Sequence, residues 1–558
     1  MKHKLYDVME LSNIGEILDI AKTEAGGHIA FRYRINDIIR EISYAEFCHD
    51  TTSLLYAIRK LDIDGCHIAC LSENRYEWIN TYLAVLCSKS VFVPVDRDMT
   101  EEEVLNVLNH SDSEVVFCSG LYEELLRNNR DKLKRIRYFI SFDRKEDEDG
   151  FLSFDELRRK GELTLINSGE QYPQEKRDPA AMCMLFYTSG TTDTPKGVML
   201  SEKSIISCIV NALKYCKLEG SCLSLLRYSH IYEAVCGILG SLHSHTTICI
   251  NESPRTVNTN LKFYKPDYIY TVPAFLEAIY QRIWKNADEM GKKNRLKNLL
   301  NASKTAKRIN IDAGKGLFSS LHKSFGGELK KIICGGAPLR GEVAEFFEAA
   351  GIQIINGYGL TEYSPIVSVN SDTRSDPHTV GLPLQDTEIN IINPQRDDNG
   401  EIYVRGPGTM LGYYKNPEET ARTITEDGWL ITGDRGRLNE DGHLIITGRS
   451  KNLIVFSNSR IVHPEEIEEH LYKIDYIKEA VVYGIRAEGG IRELCAEVYM
   501  DPEKQMGDLI EQTEKLRNDI TDILSPLPLY KQISQIVIRP QEFPKTANDK
   551  IKRDELGL

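Results

Sequence analysis

Apolar and polar positions along the chain change period again and again. Helix-like stretches alternate with short apolar runs, which predicts mixed α/β layers. Residues 77–86 carry helical periodicity, and the run Val91-Phe92-Val93-Pro94-Val95 that follows has the length of a buried strand. At Thr100-Glu101-Glu102-Glu103 a hydroxyl and a carboxylate stand three residues apart, the spacing of a capping box, so a helix opens there. Residues 114–118 read as the next strand, and 180–187 as another buried one. No run reaches the roughly 18 to 20 apolar residues that span a bilayer. No internal repeat of about 20 to 50 residues is visible.

Two changes of texture divide the chain. Between 284 and 321 it becomes rich in Lys, Arg, Asn and Ala, as in Lys292-Lys293-Asn294-Arg295. The plain reading is a solvated helical excursion, and the functional one is a basic surface for anionic lipid head groups. Past Thr447-Gly448-Arg449 come strand-like runs at 478–485 and 494–500 and a charged helix at 508–524. A turn at Ser525-Pro526-Leu527-Pro528 closes that series. These suffice for a small separate α/β domain, so the expected division is 1–450 and 451–558.

With 558 residues, 41% hydrophobic and 27% charged, the chain is globular and long enough for three to four domain equivalents. Collagen, coiled coil and small disulfide scaffolds are excluded. Its 13 cysteines are scattered, with no C-x-x-C pair, and the N-terminus lacks the apolar core of a secretory signal. Reduced thiols in the cytoplasm are expected. A net charge of -14 makes a nucleic-acid partner improbable, and any anionic ligand must be held by local cations.

The richest stretch runs Met182-Cys183-Met184-Leu185-Phe186-Tyr187-Thr188-Ser189-Gly190-Thr191-Thr192-Asp193-Thr194-Pro195-Lys196-Gly197. A strand runs into a loop of hydroxyls, glycines and one lysine, the makings of a phosphate cradle. It is not a Walker A loop, since Pro195 and Gly197 flank Lys196. Alone it reads equally as a surface turn. Further on lie Gly335-Gly336-Ala337-Pro338, Asn356-Gly357-Tyr358-Gly359-Leu360-Thr361-Glu362, Gly433-Asp434, Thr447-Gly448-Arg449-Ser450-Lys451 and Lys545-Thr546-Ala547-Asn548-Asp549-Lys550. Tyr358 between glycines offers a flat face to a base. Thr361 offers a hydroxyl to phosphate, and Glu362 a carboxylate to Mg²⁺.

These blocks, in this order, resemble the adenylate-forming (ANL) superfamily, and most of all its long-chain fatty acyl-CoA synthetases. Ser72-Glu73-Asn74-Arg75-Tyr76-Glu77-Trp78, Ser229-His230-Ile231-Tyr232-Glu233, the insert before Gly335 and Phe325-Gly326-Gly327 point the same way. The resemblance implies a large N-terminal AMP-binding domain of layered sheets and helices, with a small mobile C-terminal α/β domain. It implies ATP, Mg²⁺ and CoA, and a fatty acid joined to AMP before transfer to CoA. It assigns Thr188, Ser189, Gly190, Thr191, Thr192 and Lys196 to the ATP phosphates. Gly335, Gly336, Ala337, Asn356, Gly357 and Tyr358 go to adenine. Thr361 meets the α-phosphate, and Glu362 binds the metal. Asp434 takes the ribose hydroxyls and Arg449 the ribose-phosphate side. Lys451 is the hinge, and Lys550 contacts the reacting carboxylate and α-phosphate.

The same resemblance puts the acyl pocket near His230, along 235–242 and beside 357–360, where a core helix is the plain alternative. Three departures stand out: Asp193, Asp549 and Ser459 each occupy a position where relatives carry Gly. They keep two other readings in view. One is a ligase using an acyl carrier protein or an aromatic acid, and the other is a weakly catalytic nucleotide- or acyl-binding homologue. The basic insert leaves transient contact with a membrane surface open.

Overall fold

Short apolar runs become strands, and the amphipathic stretches between them cover the resulting sheets. The computed structural model describes residues 5–35, 38–168, 177–188, 196–308, 313–394, 398–456, 461–487, 490–504, 509–545 and 551–556. The chain divides into two compact units: Met1–Glu388 with Arg405–Leu430, and Ile389–Val404 with Ile431–Leu558.

Two large sheets organise the first unit. Among the described residues one has eight strands, in the order Gly412–Tyr413, Lys196–Ser201, Met182–Thr188, Val91–Val95, His67–Leu71, Val115–Cys118, Tyr138–Ser141 and Phe151–Ser153. Its central pairs are parallel, as Ile68↔Phe92 and Ile68↔Val115 show. Val91–Val95 is buried along its whole length, the expected state of a strand covered on both faces. Helix Tyr76–Leu86 lies in the interior, with Trp78 and Tyr82 packed edge-on or tilted against Phe92 at 5.1 and 4.9 Å. Helix Glu101–His110 opens on Thr100 with both halves of the capping box formed. The Thr100 hydroxyl accepts from the Glu103 N–H, and the Glu103 carboxylate accepts from the Thr100 N–H.

The other sheet has nine strands, and its parallel centre runs Gln353–Gly359, Lys331–Cys334, Tyr268–Thr271, Ser221–Ser224 and Thr247–Ile250. The basic segment belongs to its cover. Leu296 on helix Lys293–Arg308 joins Phe318, Leu321 and Phe325 in a core with Val343, Phe346 and Phe347 of helix Gly341–Ala349. Lys304 and Lys307 pair with Glu345 and Glu348 at 2.5 and 3.5 Å. The segment is therefore an integrated part of the unit, solvated only on its outer face. Among the described residues no helix is long and apolar enough to cross a membrane.

In the second unit, strands Glu388–Ile392, Gly400–Arg405, Leu430–Leu438 and Leu444–Arg449 form one sheet. Strands Ile477–Ala487, Gly490–Met500 and Gln535–Arg539 form another. Ile467 and Leu471 of helix Pro464–Leu471, with Leu516, Ile520 and Leu524 of helix Leu509–Leu524, bury against Val482, Ala496 and Val498. All 13 cysteines are free thiols.

Candidate active site

The segment that the resemblance assigns to the phosphates is flanked by two antiparallel strands. Met182–Thr188 pairs with Lys196–Ser201, and Thr188↔Lys196 is the last register pair at that end. Ser189, Gly190, Thr191, Thr192 and Asp193 lie outside the described residues. At that end of the strand pair the Lys196 ammonium pairs with the carboxylate of Glu419 and stands 5.4 Å above the ring of Tyr413. The Tyr413 hydroxyl in turn donates to Glu362 Oε1 at 2.9 Å. Burial, reinforced by the charge of Glu362, pushes the Tyr413 phenol above its ordinary value, so it stays a donor. One aromatic side chain thus joins Lys196, which the resemblance assigns to the ATP phosphates, to Glu362, which it assigns to the metal.

Glu362 sits on the single 3₁₀ turn Thr361–Tyr363, and its carbonyl accepts the Met410 N–H at 2.9 Å. That turn follows strand Gln353–Gly359 directly. A Cβ on Gly359 would lie 1.8 Å from the Pro365 carbonyl oxygen, so the backbones meet only because the residue is glycine. Gly359→Ala is expected to cost about 1–3 kcal/mol, read as a lower midpoint in chemical denaturation.

Gly335-Gly336-Ala337 and Asn356-Gly357-Tyr358 are twenty-one positions apart in sequence and lie at the ends of adjacent strands. Lys331–Cys334 and Gln353–Gly359 are neighbouring parallel strands with Cys334↔Asn356 in register; Gly335-Gly336-Ala337 leave the sheet at that carboxyl end, where Asn356-Gly357-Tyr358 continue their strand, paired with Ile366–Val369. In open α/β sheets ligands bind outside that end. Gly336 has φ +86, a conformation that favours glycine, and is exposed. Asn356 is buried; its amide donates to the Thr379 carbonyl at 3.1 Å, while Oδ1 has no partner among the described residues. Ala337, Gly357 and Tyr358 are half-buried.

His230 stands half-buried where a π-helical segment, Tyr232–Leu239, begins; its Nδ1 accepts the Tyr232 N–H at 3.3 Å. All eight residues of that segment are buried, Glu233 among them. The Ser224 hydroxyl donates to Glu233 Oε1, whereas Oε2 has no partner among the described residues. Burial pushes the Glu233 carboxyl up to about 8.

In the second unit Asp434 and Arg449 are register partners on antiparallel strands and form an ion pair at 3.1 Å. Asp434 is buried and Arg449 exposed. Lys451 is exposed on the 3₁₀ turn Ser450–Asn452. Lys550, Asp549 and Ser459 lie outside the described residues. The chain on either side of Lys550 is tied down, by a bridge between Lys545 and Ile551 and by a pair in which the half-buried Arg553 donates to the buried Glu468 at 2.6 Å.

The AMP-binding enzyme profile matches residues 19–414, a span that includes Lys196, Gly335-Gly336-Ala337 and Asn356 to Glu362. The chain belongs to the AMP-binding enzyme family. A long-chain-fatty-acid–CoA ligase of Mycobacterium bovis is 26% identical to this AMP-binding enzyme over 504 residues, covering 86% of the chain and 81% of that protein. Fatty acyl-CoA synthetase A of Dictyostelium discoideum is 29% identical over 469 residues, covering 79% and 70%. A chloroplastic long-chain-fatty-acid–[acyl-carrier-protein] ligase of Arabidopsis thaliana is 27% identical over 539 residues, covering 82% and 73%. Among solved structures, an anthranilate CoA ligase aligns with a TM-score of 0.77 at 19% identity, over 100% of this chain and 97% of that one. It shares the fold of a large sheet-rich domain with a smaller C-terminal one.

Three residues of the neighbourhood escape sequence reasoning: Tyr413, Glu419 and the acidity of Glu233. Asn416-Pro417-Glu418-Glu419 reads as a helix start, and the Asn416 side chain does accept the Glu419 N–H at 3.0 Å. Nothing in that signature connects Glu419 with Lys196, more than 200 positions earlier.

Proposed function

We propose that this AMP-binding enzyme activates a medium- or long-chain fatty acid with ATP and passes the acyl group to CoA. The observation that carries the reading is the meeting, in one unit, of Gly335-Gly336-Ala337 and Asn356-Gly357-Tyr358 at one sheet end and a lysine linked through Tyr413 to Glu362. In the first step a carboxylate oxygen attacks the α-phosphorus. The bond from that phosphorus to the oxygen bridging to the β-phosphate breaks, and pyrophosphate leaves. In the second a thiol sulfur attacks the acyl carbonyl, and AMP leaves.

Carboxylate and triphosphate repel each other, so cations must offset the charge while holding both in line. Lys196 supplies one at the end of its strand pair. Lys550 is proposed to supply the other, at the bond being made. Among the described residues no three His, Cys, Asp or Glu side chains cluster as a metal cage. Glu362 alone, with phosphate oxygens and water, fits Mg²⁺, which commonly takes one or two carboxylates and completes its shell from the substrate. Bound there, the ion would add positive charge against the phosphates. Asp434 would accept from the ribose hydroxyls. Residues 451–558 would turn about Lys451 between the two steps.

The buried apolar side chains Val235, Ile238 and Leu239 suit a hydrocarbon tail. A second acceptor, an acyl carrier protein, is favoured by the Arabidopsis relative named as a ligase of that kind.

The test is carboxylate-dependent ATP–pyrophosphate exchange across short-, medium- and long-chain and aromatic acids, repeated as product formation with CoA. Exchange with long acids plus acyl-CoA is the expected result. Exchange without acyl-CoA moves the acceptor to a carrier protein, and no exchange with any acid reduces the protein to a binding role.

A further inference from the structure

Lys196 meets its partner across 223 positions of sequence. Its ammonium is half-buried, lies above the Tyr413 ring and is bound by Glu419. The two sides of that pair come from different secondary structures. Lys196 opens a strand of the eight-stranded sheet, and Glu419 belongs to the short helix Pro417–Thr423. The helix is held in place by the adjoining strand Gly412–Tyr413, which pairs with Lys196–Ser201 through Gly412↔Met199 and Tyr413↔Val198. The carboxylate therefore arrives on a braced element.

Glu419 also has a second cation at hand. Arg422, one turn further along the same helix, reaches Glu419 Oε2 at 3.6 Å. The Lys196 ammonium holds the Glu419 carboxyl below its ordinary value, with Arg422 contributing less. Glu419 can thus give up the lysine without being left unpaired, since an exposed arginine already touches its other oxygen.

We propose that Glu419 is a built-in stand-in for phosphate: it neutralises and positions Lys196 before ATP arrives, then yields the lysine to the incoming phosphates and keeps Arg422. The inference rests on the assignment of Lys196 to the ATP phosphates. Glu419 is a positioning residue in this scheme. It competes with the nucleotide for one ammonium, so its charge weakens ATP binding while the Tyr413 ring and Glu419 together keep Lys196 extended at the end of its strand pair.

The experiment is equilibrium binding of ATP and of adenosine, by titration calorimetry without metal or acid, to the full chain. Glu419→Gln keeps the shape and removes the charge. The dissociation constant for ATP should fall about threefold to fivefold, the size of a partly exposed ion pair, with that for adenosine unchanged. Arg422→Gln removes the alternative partner and should shift ATP binding the other way, by about twofold. In a Lys196→Ala background Glu419→Gln should have no effect on ATP. Weaker or unchanged ATP binding by Glu419→Gln, equal shifts for ATP and adenosine, or a gain that survives loss of Lys196 each overturn the inference. A wild-type protein that binds ATP and exchanges pyrophosphate while Glu419→Gln gains nothing leaves the proposed function standing. A wild-type protein that binds no ATP removes both.

Discussion

Lys550→Ala is expected to lower carboxylate-dependent ATP–pyrophosphate exchange by at least about a hundredfold, the scale on which deleting a single transition-state charge contact is felt. ATP affinity should change little, because adenine and most phosphate contacts are proposed to come from other residues. A second measurement separates chemistry from folding. Given preformed acyl-adenylate, the variant should still transfer the acyl group to CoA at close to the wild-type rate, since the lysine is needed only where the acid meets the α-phosphate. Normal exchange by Lys550→Ala would remove that residue from the reaction. Loss of both half-reactions together would point to damage in the second unit, where Arg553 and Glu468 hold the chain just beyond it.

A stability change of comparable weight is expected at Glu233. Its carboxyl is 1% exposed and titrates near 8, against 4.5 for an unperturbed glutamate, because burial penalises the charged form. Folding therefore favours the protonated acid. That contribution is complete below about pH 4.5 and is lost as the pH rises through about 8, a difference of roughly 5 kcal/mol at most. Glu233→Gln keeps the neutral shape, and its amide oxygen can accept from Ser224. At pH 9 the Gln variant should withstand more denaturant than the wild type; near pH 5 the two unfolding curves should converge. Parallel pH dependences would mean that Glu233 stays ionised in the folded protein.

Local signals carried much of the architecture. The capping box at Thr100 forms as its spacing requires. Val91–Val95 begins and ends where its apolar run does, and the runs predicted at 114–118 and 494–500 are strands. Those features depend on neighbours in sequence, so the sequence exposes them. Motif order was also legible, and it singled out Gly335-Gly336-Ala337 and Asn356-Gly357-Tyr358, which parallel strand register then sets side by side. What stayed hidden depends on distant pairing. Tyr413 carries no motif, yet its ring and hydroxyl serve Lys196 and Glu362 at once. Glu233 looks like any helical glutamate until burial is known. The basic stretch at 284–321 reads as solvent-facing because Lys, Arg and Asn are dense along it, while apolar residues spaced among them, such as Leu296 and Phe318, decide that it packs.

The strand Gly412–Tyr413 lies outermost on the eight-stranded sheet, beside Lys196–Ser201. On the ribosome, residues 196–201 emerge more than two hundred residues before the segment that covers them. At about 5–20 residues per second that gap lasts roughly ten to forty seconds. Throughout it Lys196–Ser201 is an unpaired β-edge with buried-type side chains such as Val198 and Leu200, the kind of surface that recruits other strands. Nascent chains stopped between these points should therefore be the form of this protein most dependent on chaperones, and a fragment ending before Gly412 should aggregate where the whole chain does not.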